Sequence, residues 1–201
     1  MSEPVNITVI PNGPLKVENV TKARFCGQKL ETQAELYLCR CGASANAPFC
    51  DGSHSRDGFD GGCEDPPQAE VIVCEGKTLR TRFNKAACMH VLYCKPMDEL
   101  RAAELEGDEE AALEILRVVS TCPSGALTVE AKTDLPDPEI TESDIALSIV
   151  EGGEVRVQAE FTINAPLQDG QPTDRAALCR CGASKNKPWC DGRHKGKKDF
   201  R

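Results

Sequence analysis

Two identical arrangements of cysteine and histidine are the residues in this sequence with the clearest capacity for chemistry. Both follow the spacing C-x-C-x8-C-x3-H: Cys39, Cys41, Cys50 and His54, then Cys179, Cys181, Cys190 and His194. Three thiolates and one imidazole make a four-ligand set for a soft or borderline metal. A lone cysteine or histidine is usually a buried small side chain. Recurrence of all four residues at one spacing instead predicts a metal site in each copy.

The spacing leaves two kinds of metal centre open. Structural zinc accepts three cysteines and one histidine, but its paired cysteines usually stand further apart, as C-x2-C to C-x4-C. A C-x-C pair holds two sulfurs close together, which favours a two-iron cluster. We therefore expect an iron–sulfur cluster at each site, with structural zinc as the alternative.

The two sites belong to an internal repeat with an offset of 140 residues. CRCGASANAPFCDGSH, residues 39–54, and CRCGASKNKPWCDGRH, residues 179–194, differ at four positions. The register continues upstream, where residues 7–17 align with residues 147–157 without a gap. Alternating apolar residues around a Gly turn predict a β-hairpin in each copy. The site segments predict loops with at most a short helix near the Asp-Gly.

The segment between the repeats differs in composition. Residues 62–146 carry 18 Asp and Glu against 8 Lys and Arg, whereas the flanks are nearly balanced, which marks this segment as an insert. Its apolar runs EVIVCEG and KTLRTRFN alternate and predict two strands. Four apolar residues further on share one helical face: Ala112, Ile115, Leu116 and Val119. The acidic residues before them suit a helix start, and Pro123 predicts the helix end.

Three cysteines of the insert fit an incomplete ferredoxin pattern. Bacterial ferredoxins use C-x2-C-x2-C and a remote cysteine followed by proline. Cys88 and Cys94 hold the first and third places, and Cys122 holds the remote place. Val91 stands in the second place and cannot ligate a metal. The thiolates fit a [3Fe–4S] cluster or, as the less favoured choice, a [4Fe–4S] cluster whose fourth iron binds another group such as His90. Three buried cysteines without metal are the alternative.

These strings resemble two known families. Both repeats resemble the CDGSH iron–sulfur domain, with C-x-C, a serine, a proline and C-D-G-x-H in the family order. The matching residues between the ligands are Ser44, Pro48, Asp51, Ser184, Pro188 and Asp191. Arg193 departs from the family, which has a small residue before the histidine. The insert is similar to divergent mono-cluster ferredoxins, whose C-x-H-x3-C and C-P-S-G-A strings it contains.

The resemblance implies a [2Fe–2S] cluster in each repeat. Cys39 and Cys41 would hold one iron of the first cluster, and Cys50 and His54 the other. In the second repeat, Cys179 and Cys181 would pair against Cys190 and His194. A histidine ligand should place the potential above that of an all-cysteine cluster. Protonation of that histidine would also make the cluster sensitive to pH and releasable.

We expect an α+β protein in three parts. The parts are a first CDGSH repeat at residues 1–61, a ferredoxin-like α+β domain at residues 62–146 and a second CDGSH repeat at residues 147–201. Duplicated units often pack about a twofold axis. We therefore expect the two β-rich repeats to pair about a pseudo-twofold axis inside one monomeric chain.

Three clusters in one chain favour electron transfer, and no pattern of a catalyst for organic substrates stands out. The alternatives are storage and transfer of clusters to acceptor proteins, and redox or pH sensing. The expected partner is a redox protein or a cluster acceptor, for which Lys185, Lys187 and the KGKKDFR tail could form a docking patch. The net charge of −8 argues against nucleic acid.

The remaining features concern location and unassigned cysteines. No apolar run reaches the length of a membrane span, and the N-terminal residues do not resemble a secretory signal. We therefore expect a cytoplasmic protein without membrane contact, in which thiols stay reduced. Cys26, Cys63 and Cys74 have no Cys or His neighbour at ligand spacing, so we expect buried thiols or incidental cysteines rather than ligands.

Overall fold

The computed structural model describes residues 3–62, 68, 70–135, 145–197 and 200. Within these residues the protein is α+β, as predicted, with three small sheets and few helices. The CDGSH-like repeats flank a separate middle unit. No helix in these ranges combines the length and apolar character needed to cross a membrane.

The first repeat consists of short strands and one helical turn. Its elements are β1 (Val5–Val9), β2 (Leu15–Glu18), β3 (Ala23–Phe25), β4 (Gln28–Leu30), β5 (Glu35–Leu38) and α1 (Ser53–Arg56). The second repeat contributes β9 (Leu147–Ile149), β10 (Val155–Val157), β11 (Phe161–Ile163), β12 (Ala176–Leu178) and a 3₁₀ turn at Arg193–Gly196. The site segments are thus loops with one short helical turn, as predicted.

The predicted hairpins are present in both repeats. β1 pairs with β2, and β9 pairs with β10, both antiparallel. Alternate residues point into the core, so Ile7 and Val17 are fully buried while Thr8 and Lys16 between the buried positions are only partly covered. The period of two in the sequence therefore defines the inner face of each hairpin.

Each of the two larger sheets contains strands from both repeats. The strand orders are β11-β1-β2-β5 and β12-β10-β9-β3-β4. Ile163 of β11 pairs in parallel with Ile7, and Ala23 of β3 pairs in parallel with Leu147. The two pairs are related by the 140-residue offset. Both repeats also contribute to one buried apolar cluster that includes Leu15, Leu36, Val155 and Trp189.

The insert forms its own sheet and core. Strands β6 (Val71–Glu75), β7 (Leu79–Asn84) and β8 (Leu127–Ala131) form an antiparallel sheet next to helices α2 (Met97–Glu106) and α3 (Glu109–Ser120), with a 3₁₀ turn at Lys85–Ala87. The strands β6 and β7 confirm the two predicted strands. Helix α3 confirms the predicted helix, and Asp108 caps it by accepting from the amides of Glu110 and Ala111.

Two buried arginines, which sequence reasoning missed, attach the site loops to the hairpin turns. Arg40 and Arg180 are each 1% exposed. Arg40 donates to the carbonyls of Ile10 and Gly13, both at 2.9 Å, and Arg180 donates to the matching carbonyls of Val150 and Gly153. Each guanidinium therefore holds the turn of its own hairpin against the C-x-C loop.

The C-x-C loops of the two repeats meet backbone to backbone. Cys41 and Cys181 form an antiparallel bridge. The next residues, Gly42 and Gly182, have φ values of 79° and 75°, in the left-handed region that favours glycine. A Cβ on Gly42 would lie 2.6 Å from the carbonyl oxygen of Cys181. Glycine is thus required here both by conformation and by close approach.

We expect Gly42→Ala to destabilise the pairing of the repeats. Gly58→Ala is the matched control because Gly58 also has a positive φ but has nothing near its Cβ position. The control should lose about 1–2 kcal/mol of unfolding free energy from backbone strain. Gly42→Ala should lose about 1–3 kcal/mol more because of the clash. Urea unfolding, followed by the fluorescence of Trp189, the only tryptophan, measures the unfolding free energy of both variants. Equal losses in Gly42→Ala and Gly58→Ala would contradict the close approach.

Candidate metal centres

The first ligand set, called site one, presents its donors as two pairs. The Sγ atoms of Cys39 and Cys41 lie 3.6 Å apart at the end of β5. The Sγ of Cys50, which precedes the α1 turn, lies 3.4 Å from Nδ1 of His54 within that turn. The amides of Gly42 and Ala43 donate to the sulfurs of Cys39 and Cys41 at 3.3 and 3.4 Å.

The residues between the ligands hold this loop in shape. The Ser44 hydroxyl donates to the carbonyl of Phe49 at 2.6 Å and accepts from the amide of Asn46. Hydrogen bonds from the Ser53 side chain and from the amides of Ser53 and Ala45 keep the pKa of the Asp51 carboxyl well below its usual range. The serine and aspartate of the repeated string therefore fold the loop that presents the thiols.

The second ligand set, called site two, repeats this geometry. Cys179 and Cys181 lie 3.8 Å apart, and Cys190 lies 3.5 Å from Nδ1 of His194. Ser184 and Asp191 make the same loop contacts as their counterparts, to Trp189 and to the Lys185 amide. The structure therefore brings together the predicted residues of each repeat in the predicted pairs.

The arrangement of donors fits a two-iron centre better than one zinc ion. A tetrahedral ion needs all of its ligand atoms close to a single point. Among the described residues, only Glu154, Cys190 and His194 bring three potential ligand atoms within 4.8 Å of one another. The Cys and His donors of each repeat instead form two separate pairs, as two bridged irons require. The amide groups aimed at sulfur also suit cluster thiolates.

Burial makes two of these thiols poor acids without metal. It raises the pKa of Cys41 to about 11 and that of Cys190 to about 12. Cys179 differs, since a hydrogen bond from Cys181 lowers its pKa to about 6. Burial also lowers the pKa of His194, which favours the neutral ring that a metal binds. At neutral pH, metal binding must therefore displace protons from Cys41 and Cys190.

Two sites with nearly the same sequence differ in exposure. Cys50 and His54 are half-buried, whereas Cys190 and His194 are buried. The insert produces the difference because it packs on site two. Asn186 donates to the carbonyl of Ala86 at 2.9 Å, while its counterpart in the first repeat is exposed.

The insert cysteines line one cavity, called the insert site. Cys88, Cys94 and Cys122 line a small cavity of about 30 Å³ together with His90 and Val91. Nδ1 of His90 lies 3.7 Å from the Sγ of Cys88, and the His90 amide donates to that sulfur at 3.4 Å. The structure thus gathers the three predicted thiols, with Val91 where a fourth ligand would stand.

The other cysteines lie away from these sites or outside the described residues. Cys26 is exposed in the turn between β3 and β4, so of the two expected alternatives it is an incidental cysteine and not a buried thiol. The turn conformation, with a φ of 51° at Cys26, turns this residue outward. Cys74 is half-buried on β6. Cys63 lies outside the described residues.

Several lysines near site two make local contacts. Lys187 donates to the carbonyl of Ser184 at 3.0 Å, and Lys197 donates to that of Cys181 at 2.6 Å. Lys195 donates to the carbonyl of His90 at 2.6 Å and so joins site two to the insert. These residues of the expected docking patch therefore support the loops around the site.

Sequence reasoning also missed Glu154. This buried carboxylate lies 3.5 Å from Nε2 of His194. The only sequence signal was a difference between the repeats, since Pro14 stands at the matching position of the first repeat.

Comparisons with known proteins agree with the geometry. The family described as an iron-binding zinc finger of CDGSH type matches residues 12–55 and 146–195. The family described as a divergent 4Fe-4S mono-cluster matches residues 74–132. No curated protein and no solved structure matched. The chain therefore contains two domains of the CDGSH type on either side of a divergent mono-cluster domain, and these matches support an iron–sulfur protein.

Proposed function

We propose that this protein serves in electron transfer through three iron–sulfur centres. Cys39, Cys41, Cys50 and His54 would hold one [2Fe–2S] cluster, and the four matching residues of site two would hold another. Cys88, Cys94 and Cys122 would hold the third. When bound, such clusters supply reversible one-electron chemistry. The observation that carries the proposal is that the loops of site two contact those of both other ligand sets, an arrangement called the row.

Site one adjoins site two at the Cys41–Cys181 bridge. The backbones of the two C-x-C loops touch, since a Cβ on Gly182 would lie 2.6 Å from the carbonyl oxygen of Cys41. This contact uses one ligand of each site directly. The strand exchange between the repeats, with pairs related by the 140-residue offset, supports a pseudo-twofold relation between sites one and two.

Site two adjoins the insert site on its other side. Met89, next to Cys88, packs in one buried cluster with Cys190. The Met89 carbonyl approaches Gly192 so closely that a Cβ there would lie 2.5 Å from its oxygen. Lys195, next to His194, donates to the Met89 and His90 carbonyls. Site two is therefore the middle member of the row.

A row of adjacent centres suits electron transfer because transfer between centres weakens steeply with separation. A chain that only stored metal would have no need for contact between its ligand loops. We propose domain boundaries at residues 61/62 and 146/147, a carrier role without an organic substrate, and a redox protein as the partner.

Cluster delivery is the second candidate function, and the exposure of site one favours it. His54 borders an open groove with Asn12, Phe59 and Asp60. Cys50 and His54 are half-exposed. An acceptor protein could reach these ligands without unfolding the rest of the chain.

Replacing both ligand histidines should lower the reduction potentials. In His54→Cys with His194→Cys, thiolates donate more electron density than the imidazoles they replace, so both potentials should fall by roughly 100 mV or more. Each single variant should lower the reduction potential of its own site and leave that of the other site unchanged. Redox titration followed by visible absorbance measures the shifts. Unchanged potentials in a fully loaded double variant would contradict histidine ligation.

Emptying site two should separate the other two centres magnetically. Cys179→Ala with Cys190→Ala removes two ligands of the middle site. In the reduced protein, the site-one and insert signals should then lose the magnetic coupling that each has to the site-two cluster. The control, Cys39→Ala with Cys50→Ala, empties an end site and should preserve coupling between site two and the insert site. Power saturation of the electron paramagnetic resonance signals measures this. Full coupling between the end centres without site two would contradict the row.

The insert site should change type when a fourth thiol is added. Val91 lines the same cavity as the three cysteines. We expect the oxidised protein to give the paramagnetic signal of a three-iron cluster and Val91→Cys to abolish it, because a fourth thiolate completes a four-iron site. Val91→Ser is the matched control and should retain the signal. A silent oxidised protein that loses iron on His90→Ala would instead identify His90 as the fourth ligand.

A further inference from the structure

We propose that Glu154 is a positioning residue that orients the imidazole of His194 and makes site two the firmly held metal centre, with site one the exchangeable one. This inference rests on the proposed iron–sulfur centre in each repeat. It concerns a difference between two sites whose ligands and spacing are the same.

The two ring nitrogens of His194 face different groups. Nδ1 lies 3.5 Å from the Sγ of Cys190, on the side of the other ligands. Nε2 lies 3.5 Å from the Oε2 atom of Glu154. One nitrogen is therefore placed toward the metal position, while the other faces a carboxylate.

Glu154 is itself held in place. It is 2% exposed, and its Oε1 lies 2.6 Å from Nε of Arg156. A buried carboxylate is stable as an anion only with a partner of this kind. The arginine uses one carboxylate oxygen and leaves the other directed at His194.

A carboxylate behind a metal-bound histidine has a known physical effect. It fixes the tautomer and the ring orientation and makes the ligating nitrogen a better donor. Loss of such a partner typically costs roughly 10–100-fold in metal affinity. Glu154 should therefore slow the release of metal from site two.

Among the residues that the structure describes, site one shows no equivalent arrangement. The position that matches Glu154 is Pro14, whose side chain has no hydrogen-bond acceptor for His54. Asp60 borders the groove beside His54, but its Oδ1 accepts from the amide of Gly62. Within the described ranges, no carboxylate joins Cys50 and His54 in a group as tight as that of Glu154, Cys190 and His194.

A chelator challenge of the loaded full-length protein tests this inference. At constant pH, visible absorbance should fall in a fast phase and a slow phase for the two [2Fe–2S] centres. Cys50→Ala, which removes a site-one ligand, should abolish the fast phase and so assign it. Glu154→Ala should accelerate the slow phase by roughly 10–100-fold and leave the fast phase unchanged.

Two further variants separate positioning from a structural effect. Glu18→Gln removes a lysine-paired carboxylate from β2 and should change neither phase. In a His194→Cys background the ligand has no outer nitrogen, so Glu154→Ala should no longer accelerate the slow phase. Equal acceleration in that background would overturn the inference, since Glu154 would then act structurally or as a ligand itself.

Failure of the inference and failure of the proposed function are distinguishable by iron and sulfide analysis before the challenge. If the protein is loaded with iron and sulfide but Glu154→Ala leaves the rate of the slow phase unchanged, only the inference is overturned. A protein that holds no iron and sulfide overturns both.

Discussion

The backbone contact between Cys41 and Cys181 is the constraint on which the arrangement of the sites depends. Each of these cysteines belongs to a C-x-C pair, so the bridge between them brings the two ligand loops of the repeats into contact. The glycines that follow allow that approach because their backbones are left-handed and carry no Cβ. The exchanged strands β3 and β11 then lock the two repeats together around this point.

The insert converts two nearly equal sites into unequal ones. It packs on the second repeat through the loop that carries Cys88 and His90, where Lys195 joins both sides. Site two is thereby buried between two other ligand sets, while His54 of site one remains at the surface. Duplication alone gives two copies of a site, and an insert that covers one copy gives them different access to solvent and partners.

Much of this organisation could be predicted from the sequence because the determining patterns are local. The hairpins follow from alternating apolar residues, and helix α3 follows from its apolar face and its cap at Asp108. The ligand pairs follow from short spacings. Helix α2 escaped prediction because Met97 and Glu104 are its only buried residues and give no apolar stripe.

The remaining features depend on contacts between distant segments, which local patterns do not encode. The parallel pairing of Ile7 with Ile163 involves strands of only a few residues, so their partners cannot be inferred from periodicity. The carboxylate of Glu154 beside His194 likewise joins a hairpin to a site loop 40 residues away. Neither residue has a neighbour in sequence that indicates the contact.

The most direct test of the central claim is the quantitation of iron, acid-labile sulfide and zinc in anaerobically purified protein, together with electron paramagnetic resonance of the oxidised and reduced forms. If each repeat binds sulfide-bridged iron, the protein should be coloured and contain two irons and two sulfides for each repeat. The reduced protein should give an electron paramagnetic resonance signal typical of histidine-ligated two-iron clusters. A colourless protein with one zinc ion in each repeat would contradict it.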